Sequence, residues 1–221
     1  MDGSMTVEHG ILIGSDVLPG TERVVRDSDA WWQHGEVGTR PRQGHRVDRL
    51  VGHWTAGHPR TGPTAGPRVV RAMKARKRPD GSRMDVGIHC VISWDGIIWQ
   101  TADLAQGTVH VGNRTMNARS IGVECCWPGT VEQARKLGVE VEHVAIGQAH
   151  GKRIRCLPPS DELLAAWAWL VRALADARHP LLALPMKRGS MSAAGVLEHC
   201  DVTPTTKIDA AGLLVGALGL R

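Results

Sequence analysis

The sequence contains no phenylalanine and no tyrosine, so no tyrosine phenol can act as acid, base or metal ligand in any mechanism this chain supports. Its aromatic content rests on eight tryptophans. The five cysteines, Cys90, Cys125, Cys126, Cys156 and Cys200, are odd in number and show no C-x-x-C spacing, which excludes both a fully paired disulfide framework and a four-cysteine zinc ribbon. Long apolar runs are missing as well. The longest, residues 210–220, includes three glycines and is too short for a bilayer that needs about 20 residues, so no membrane span is expected. Residues 1–20 begin acidic and hold only a short apolar run at 10–14; without a basic n-region or a long h-region they do not read as a secretory signal. Synthesis in the cytoplasm, a reducing compartment, is the expectation.

What is present is ordinary globular material: 221 residues, 42% hydrophobic and 22% charged, with a formal net charge of +5. That supplies enough apolar residues for one core and a buried site. Residues 1–45 read as an N-terminal extension of short strands and loop packed on a main domain at 46–221. Within the extension, residues 11–13, 17–18 and 21–25 read as strands between Gly and Pro breakers, and 33–43 as a polar linker or surface loop. Residues 68–77 fit a helix with Val69, Val70 and Met73 on one face and basic residues on the rest. Lacking interleaved aromatics, that basic surface reads as a solvated face rather than a nucleic-acid site.

From Arg46 onward the pattern sharpens. An apolar approach through Leu50 and Val51 delivers His53 at a strand end, residues 86–94 alternate, and Asp95-Gly96 marks a hairpin into 97–100. In 120–126, Ile121, Val123 and Cys125 oppose Gly122, Glu124 and Cys126, so one carboxylate projects from the face opposite an apolar row. The stretch 128–157 is the least regular, with a short helix at 131–137 and a loop at 147–152, and could act as a lid. Ser160-Asp161-Glu162 starts a helix whose apolar positions Leu163, Leu164, Trp167, Leu170, Val171 and Leu174 recur at helical spacing. Residues 196–202 read as a strand ended by Pro204, and 208–220 as a closing helix. Strands interleaved with helices make the class α/β or mixed α+β.

Three side chains at strand ends or just beyond, His53, His199 and Asp209, offer two imidazoles and a carboxylate, a donor set suited to Zn²⁺ with the fourth tetrahedral position left to water. The step from His199 to Asp209 is long enough for the chain to turn and return to the same ion. Lys207 lies two residues before Asp209, so in an extended segment it faces the same pocket.

Four blocks occur in a recognisable order: Leu50-Val51-Gly52-His53-Trp54-Thr55-Ala56, His89-Cys90-Val91-Ile92-Ser93-Trp94-Asp95-Gly96, Asn117-Ala118-Arg119-Ser120-Ile121-Gly122-Val123-Glu124, and His199-Cys200-Asp201-Val202-Thr203-Pro204 with Lys207-Ile208-Asp209. Across roughly residues 46–212 the sequence resembles the zinc-dependent N-acetylmuramoyl-L-alanine amidases, whose fold is shared by amidase-type phage lysozymes and peptidoglycan recognition proteins. The resemblance implies a central mixed β-sheet flanked by helices, one zinc ion on His53, His199 and Asp209, Glu124 as acid/base carboxylate and Lys207 as the cation near the developing oxyanion. It implies cleavage of the amide between N-acetylmuramic acid and L-alanine. His110, in Val109-His110-Val111-Gly112, falls where relatives have a Trp-His-Ala-Gly segment lining the substrate groove, and is carried over as substrate-binding. Two positions depart from the pattern: Ala210 replaces a proline, and Ile88 stands where some branches place a catalytic tyrosine. The branch that uses glutamate and an aspartate ligand is the better match.

The expected partner is peptidoglycan or a muropeptide, acted on by a monomer, and the expected role is that of a phage-type endolysin reaching the wall through a pore made by another protein. Two alternatives share the fold: a non-catalytic peptidoglycan-binding module and a cytoplasmic muropeptide-recycling amidase. Residue by residue, Glu124 could instead be an edge salt-bridge partner and Lys207 a solvated loop cation. Cys125-Cys126 read as packing residues, while Trp31, Trp32, Trp54 and Trp127 fit either a sugar-binding rim or the core.

Overall fold

The computed structural model describes residues 8–203 and 207–220, with only the backbone at position 29. Its frame is a seven-stranded mixed sheet in the order Glu8–His9, Val24–Arg26, Ile98–Gln100, Cys90–Ile92, Ser120–Cys125, Arg49–Trp54, Gly195–Glu198. The last four strands run parallel, whereas Ile98–Gln100 returns antiparallel to Cys90–Ile92 through the Asp95-Gly96 turn, where Gly96 has φ +81°. Helices cover both faces, which makes this the mixed α+β class with a central mixed sheet.

A sheet covered on both sides needs apolar residues on both, and the Ser120–Cys125 strand is accordingly buried along its whole length. On one face, Leu50, Ile121, Val123, Cys125 and Val196 pack with Leu163, Trp167, Leu170 and Leu174 of the helix Asp161–Asp176. The Ser160 hydroxyl caps that helix by accepting the Leu163 N–H at 3.2 Å, and Asp161 and Glu162 complement the positive end of its dipole. Gly52 lets the central strand lie close to this layer, since a Cβ there would stand 2.8 Å from Leu214 and 3.1 Å from the Trp167 ring. On the other face, Val69, Val70 and Met73 of the helix Ala65–Lys74 pack on Ile88, Val91 and Trp99. Trp32 and Trp127 are core residues, and all five cysteines are free and buried, with Cys125 and Cys126 in different clusters.

Several elements differ from the sequence reading. The basic helix occupies Ala65–Lys74 rather than 68–77; Pro67 sits in its first turn, where a missing N–H costs nothing. The stretch 33–43 is mostly exposed, as a surface loop would be, but it is no free linker: Thr39–Pro41 pairs with Gln106–Thr108, and Arg42 is only 4% exposed. The loop at 147–152 is the tip of a hairpin, Ala145–Ala149 with Lys152–Cys156. The strand expected at 196–202 ends at Glu198, because the Asp201 carboxylate accepts the Glu198 N–H at 2.9 Å and turns the chain into the short helix His199–Val202. Pro204, expected to end that strand, and residues 1–7 of the N-terminal extension lie outside the described residues. The closing helix is confined to Leu213–Ala217. Before it the backbone is held by other partners: Asp209 C=O accepts from Cys200 N–H and Ala211 C=O from Gln148 N–H, each at 2.7 Å.

Candidate metal centre and cleft

Strand register assembles the site. Glu124 pairs with His53 across adjacent parallel strands, and Glu198 pairs with Gly52 on the other side, so His199, the next residue, emerges beside His53. All three therefore stand at the carboxyl ends of neighbouring parallel strands, where open α/β sheets place their ligands. The alternation read from the sequence puts Gly122 and Glu124 on this face, opposite the apolar row of Ile121, Val123 and Cys125, and the strand places Ser120 there as well.

The returning segment brings Asp209 to the pair of histidines. His53 Nδ1 lies 3.0 Å from His199 Nδ1, His199 Nδ1 lies 3.0 Å from Asp209 Oδ2, and His53 Nδ1 lies 3.5 Å from the same oxygen. All three residues are buried. Donors around a tetrahedral ion with bonds of 2.0–2.1 Å stand about 3.3 Å apart, so the spacing fits one divalent transition ion. Burial alone would raise the Asp209 carboxyl, but its contacts with His199 and His53 prevail and hold it well below the usual carboxylate range. Burial lowers the His53 imidazole, the Asp209 contact opposing it. An ionised carboxylate beside an imidazole held towards neutrality is the protonation state a cation requires of its ligands.

The cluster lines a cleft of about 490 Å³ together with Trp54, Arg76, Met84, His110, Glu124 and Lys207. Glu124 is 8% exposed, and among the described residues no group hydrogen-bonds its carboxylate. Burial first, then the Asp209 charge, pushes it up to about 8, with Arg76 and Lys207 acting in the other direction. Lys207 is exposed and its main-chain carbonyl accepts a hydrogen bond from His150 Nε2 at the tip of the 145–156 hairpin. His110 borders the cleft, but both ring nitrogens are engaged: Nδ1 lies 3.1 Å from His53 Nε2 and Nε2 lies 2.9 Å from Ser120 Oγ. Trp54 is half-buried at the cleft edge and meets Trp127 edge-on, with ring centroids 4.9 Å apart.

Behind the cleft lie buried polar residues that the sequence reading did not single out. Arg42 donates to the Leu104 carbonyl and the Ala118 carbonyl, both at 2.7 Å, and burial brings its guanidinium down to about 9. His89 lies beside it and accepts the Gly122 N–H at Nδ1, 3.0 Å away; burial and the Arg42 charge hold it well below its ordinary value. Glu198, fully buried, accepts N–H groups from Gly212 and Val215 and anchors the chain that follows Asp209. Burial outweighs those bonds and pushes its carboxyl up to about 6. Its place beside His199 was the available signal, a carboxylate next to a candidate ligand in the stretch read as the strand 196–202.

The sequence profile of the N-acetylmuramoyl-L-alanine amidases matches residues 43–211. Among solved structures, a selenomethionine derivative of AmpD is similar with a TM-score of 0.50 at 18% identity, over 87% of this chain and 98% of that one. AmiD from E. coli, in complex with the substrate anhydro-N-acetylmuramic acid-L-Ala-D-gamma-Glu-L-Lys, gives a TM-score of 0.50 at 16% identity, covering 86% of this chain and 61% of the other. At these identities the likeness concerns the fold. No curated protein matches the chain significantly in sequence.

Proposed function

The chain belongs to the N-acetylmuramoyl-L-alanine amidase family, and on that premise we propose that it is a zinc-dependent hydrolase of the amide joining N-acetylmuramic acid to L-alanine. The observation that carries the reading is the convergence of His53 Nδ1, His199 Nδ1 and Asp209 Oδ2, with Glu124 buried at the adjacent strand end and without a hydrogen-bond partner among the described residues. Zinc held by these three residues would supply Lewis acidity, activating water near neutral pH and polarising the scissile carbonyl.

The chain's own groups account for the proton transfers. Glu124 accepts the proton of the attacking water and returns it to the leaving nitrogen, a step an amide needs because it expels amine poorly unless protonated. A carboxyl drawn up towards the working pH suits both directions of that transfer. Lys207 borders the same cleft and offsets the negative charge that develops on the carbonyl oxygen. His110 and Trp54 form part of the groove wall against which the muropeptide lies.

The net charge of +5 favours attraction to the anionic wall and supports a phage-type endolysin. Among the described residues no helix is long and apolar enough to cross a membrane. The test is incubation of the purified protein with intact sacculi and with soluble muropeptides, with and without chelator, scoring new L-alanine amino termini. Chelator-sensitive release from sacculi is the expected result. Release confined to soluble fragments would assign a recycling role, and binding without release would leave a peptidoglycan-binding module.

A further inference from the structure

A row of polar side chains runs from the metal cluster into the protein along the cleft face of the sheet. His53 Nε2 faces His110 Nδ1 at 3.1 Å, His110 Nε2 faces Ser120 Oγ at 2.9 Å, and Ser120 Oγ lies 2.6 Å from the Met116 carbonyl oxygen. Ser120 is fully buried and His110 is 9% exposed. Neighbouring residues give the row both space and position. A Cβ at residue 122 would stand 2.6 Å from the His110 ring, so Gly122 makes room for it. The Asn117 side-chain oxygen accepts the main-chain N–H groups of His110 and Val111, both at 3.1 Å, and pins the turn that carries the ring.

The far end sets the direction of every hydrogen bond. A carbonyl oxygen only accepts, and at 2.6 Å two oxygens tolerate each other only with a proton between them, so the Ser120 hydroxyl donates to Met116. Its oxygen must then accept from His110 Nε2–H. A neutral imidazole carries one N–H, which leaves His110 Nδ1 as an acceptor for His53 Nε2–H. His53 is thereby left with a bare lone pair on Nδ1, the atom that faces His199 and Asp209.

We infer that Ser120 and His110 are positioning residues which, through a one-directional hydrogen-bond chain anchored on the Met116 carbonyl, fix His53 in the Nε2–H tautomer and aim its Nδ1 lone pair at the metal position before any ion binds. The tautomer order follows from the chain's own geometry; its consequence for metal affinity rests on the ligand reading above. Partners of this kind hold ligand rings in orientation, and their loss typically lowers metal affinity by about 10- to 100-fold.

Long-range ¹H–¹⁵N imidazole spectra of the metal-free wild-type protein test the order without any substitution. His53 and His110 should both appear as neutral Nε2–H tautomers. An Nδ1–H signature for either ring overturns the chain. In S120A, His110 should lose its exclusive Nε2–H signature, and zinc affinity, read by competition with a chromophoric chelator, should fall about 10- to 100-fold. A folded S120A protein with wild-type tautomers and wild-type zinc affinity refutes the positioning role. Should the wild-type protein show the expected tautomers yet bind no zinc, the chain stands and the metal reading fails.

Discussion

Replacing Glu124 by glutamine separates a carboxyl kept for chemistry from one kept for stability. The side chain is 8% exposed and burial pushes its pKa from an ordinary 4.5 up to about 8 in the metal-free protein. Between those two values the unfolded chain has released its proton and the folded chain has not, so the unfolded state binds fewer protons and stability falls as pH rises. A tenfold difference in proton affinity between the two states is worth about 1.4 kcal/mol, so the loss attributable to Glu124 approaches roughly 5 kcal/mol by pH 8 and is absent below pH 4. E124Q keeps the shape and removes the titration. Urea unfolding of wild type and E124Q in chelator, at several pH values from 4 to 9, reads the difference directly. Other titrating groups, such as Glu198, are common to both proteins and largely cancel. The variant should match wild type near pH 4, exceed it by a few kcal/mol at pH 8, and lack hydrolytic activity throughout. Zinc should shrink the gap, because a nearby cation favours the ionised carboxylate. An E124Q protein less stable than wild type across the whole range would mean instead that Glu124 is a paired structural anion.

K207A should lower kcat by on the order of 10²- to 10³-fold while leaving the urea midpoint within error, as expected for loss of an oxyanion partner; an unchanged kcat would make Lys207 a solvated cation. D209A should abolish the rise in Tm that zinc gives the wild-type protein, because linkage stabilisation vanishes with the site; calorimetry with and without zinc reads this. W167A should cost about 3–5 kcal/mol by urea unfolding, since the indole is fully buried and donates to the Leu214 carbonyl at 3.0 Å. S160A should cost about 0.5–2 kcal/mol through the lost helix cap.

Where local pattern and tertiary demand coincide, the sequence was informative. The alternation of Ile121, Val123 and Cys125 against Gly122 and Glu124 survives because the strand's two faces meet different layers. The helix Asp161–Asp176 was readable from its cap and its apolar stripe, and the Asp95-Gly96 turn from its dipeptide. Arg42 was not readable, because the carbonyls that satisfy it belong to Leu104 and Ala118, and nothing in the neighbouring Gly- and Arg-rich stretch announces a buried guanidinium. The Ala145–Ala149 and Lys152–Cys156 strands lack a clean apolar alternation, carrying Lys152, Arg153 and Arg155 on a half-exposed ribbon. Residues 208–212 have helix-compatible composition, but the contacts that bring Asp209 to His199 take precedence and delay the helix to Leu213. That His53, His199, Asp209, Glu124 and Lys207 share one cleft could be expected in advance because each lies in an ordered block. Ser120 lay within such a block too, yet its partner His110 arrives from another segment, and only the folded chain brings the two together.

On this reading three distant segments of the chain grip one ion. Anomalous diffraction at the zinc edge from crystals of the zinc-loaded protein tests it directly. A single strong peak held by His53 Nδ1, His199 Nδ1 and Asp209 Oδ2 is expected, with a further coordination position open to the cleft. Density held by other side chains, or no peak at this cluster under saturating zinc, would contradict it.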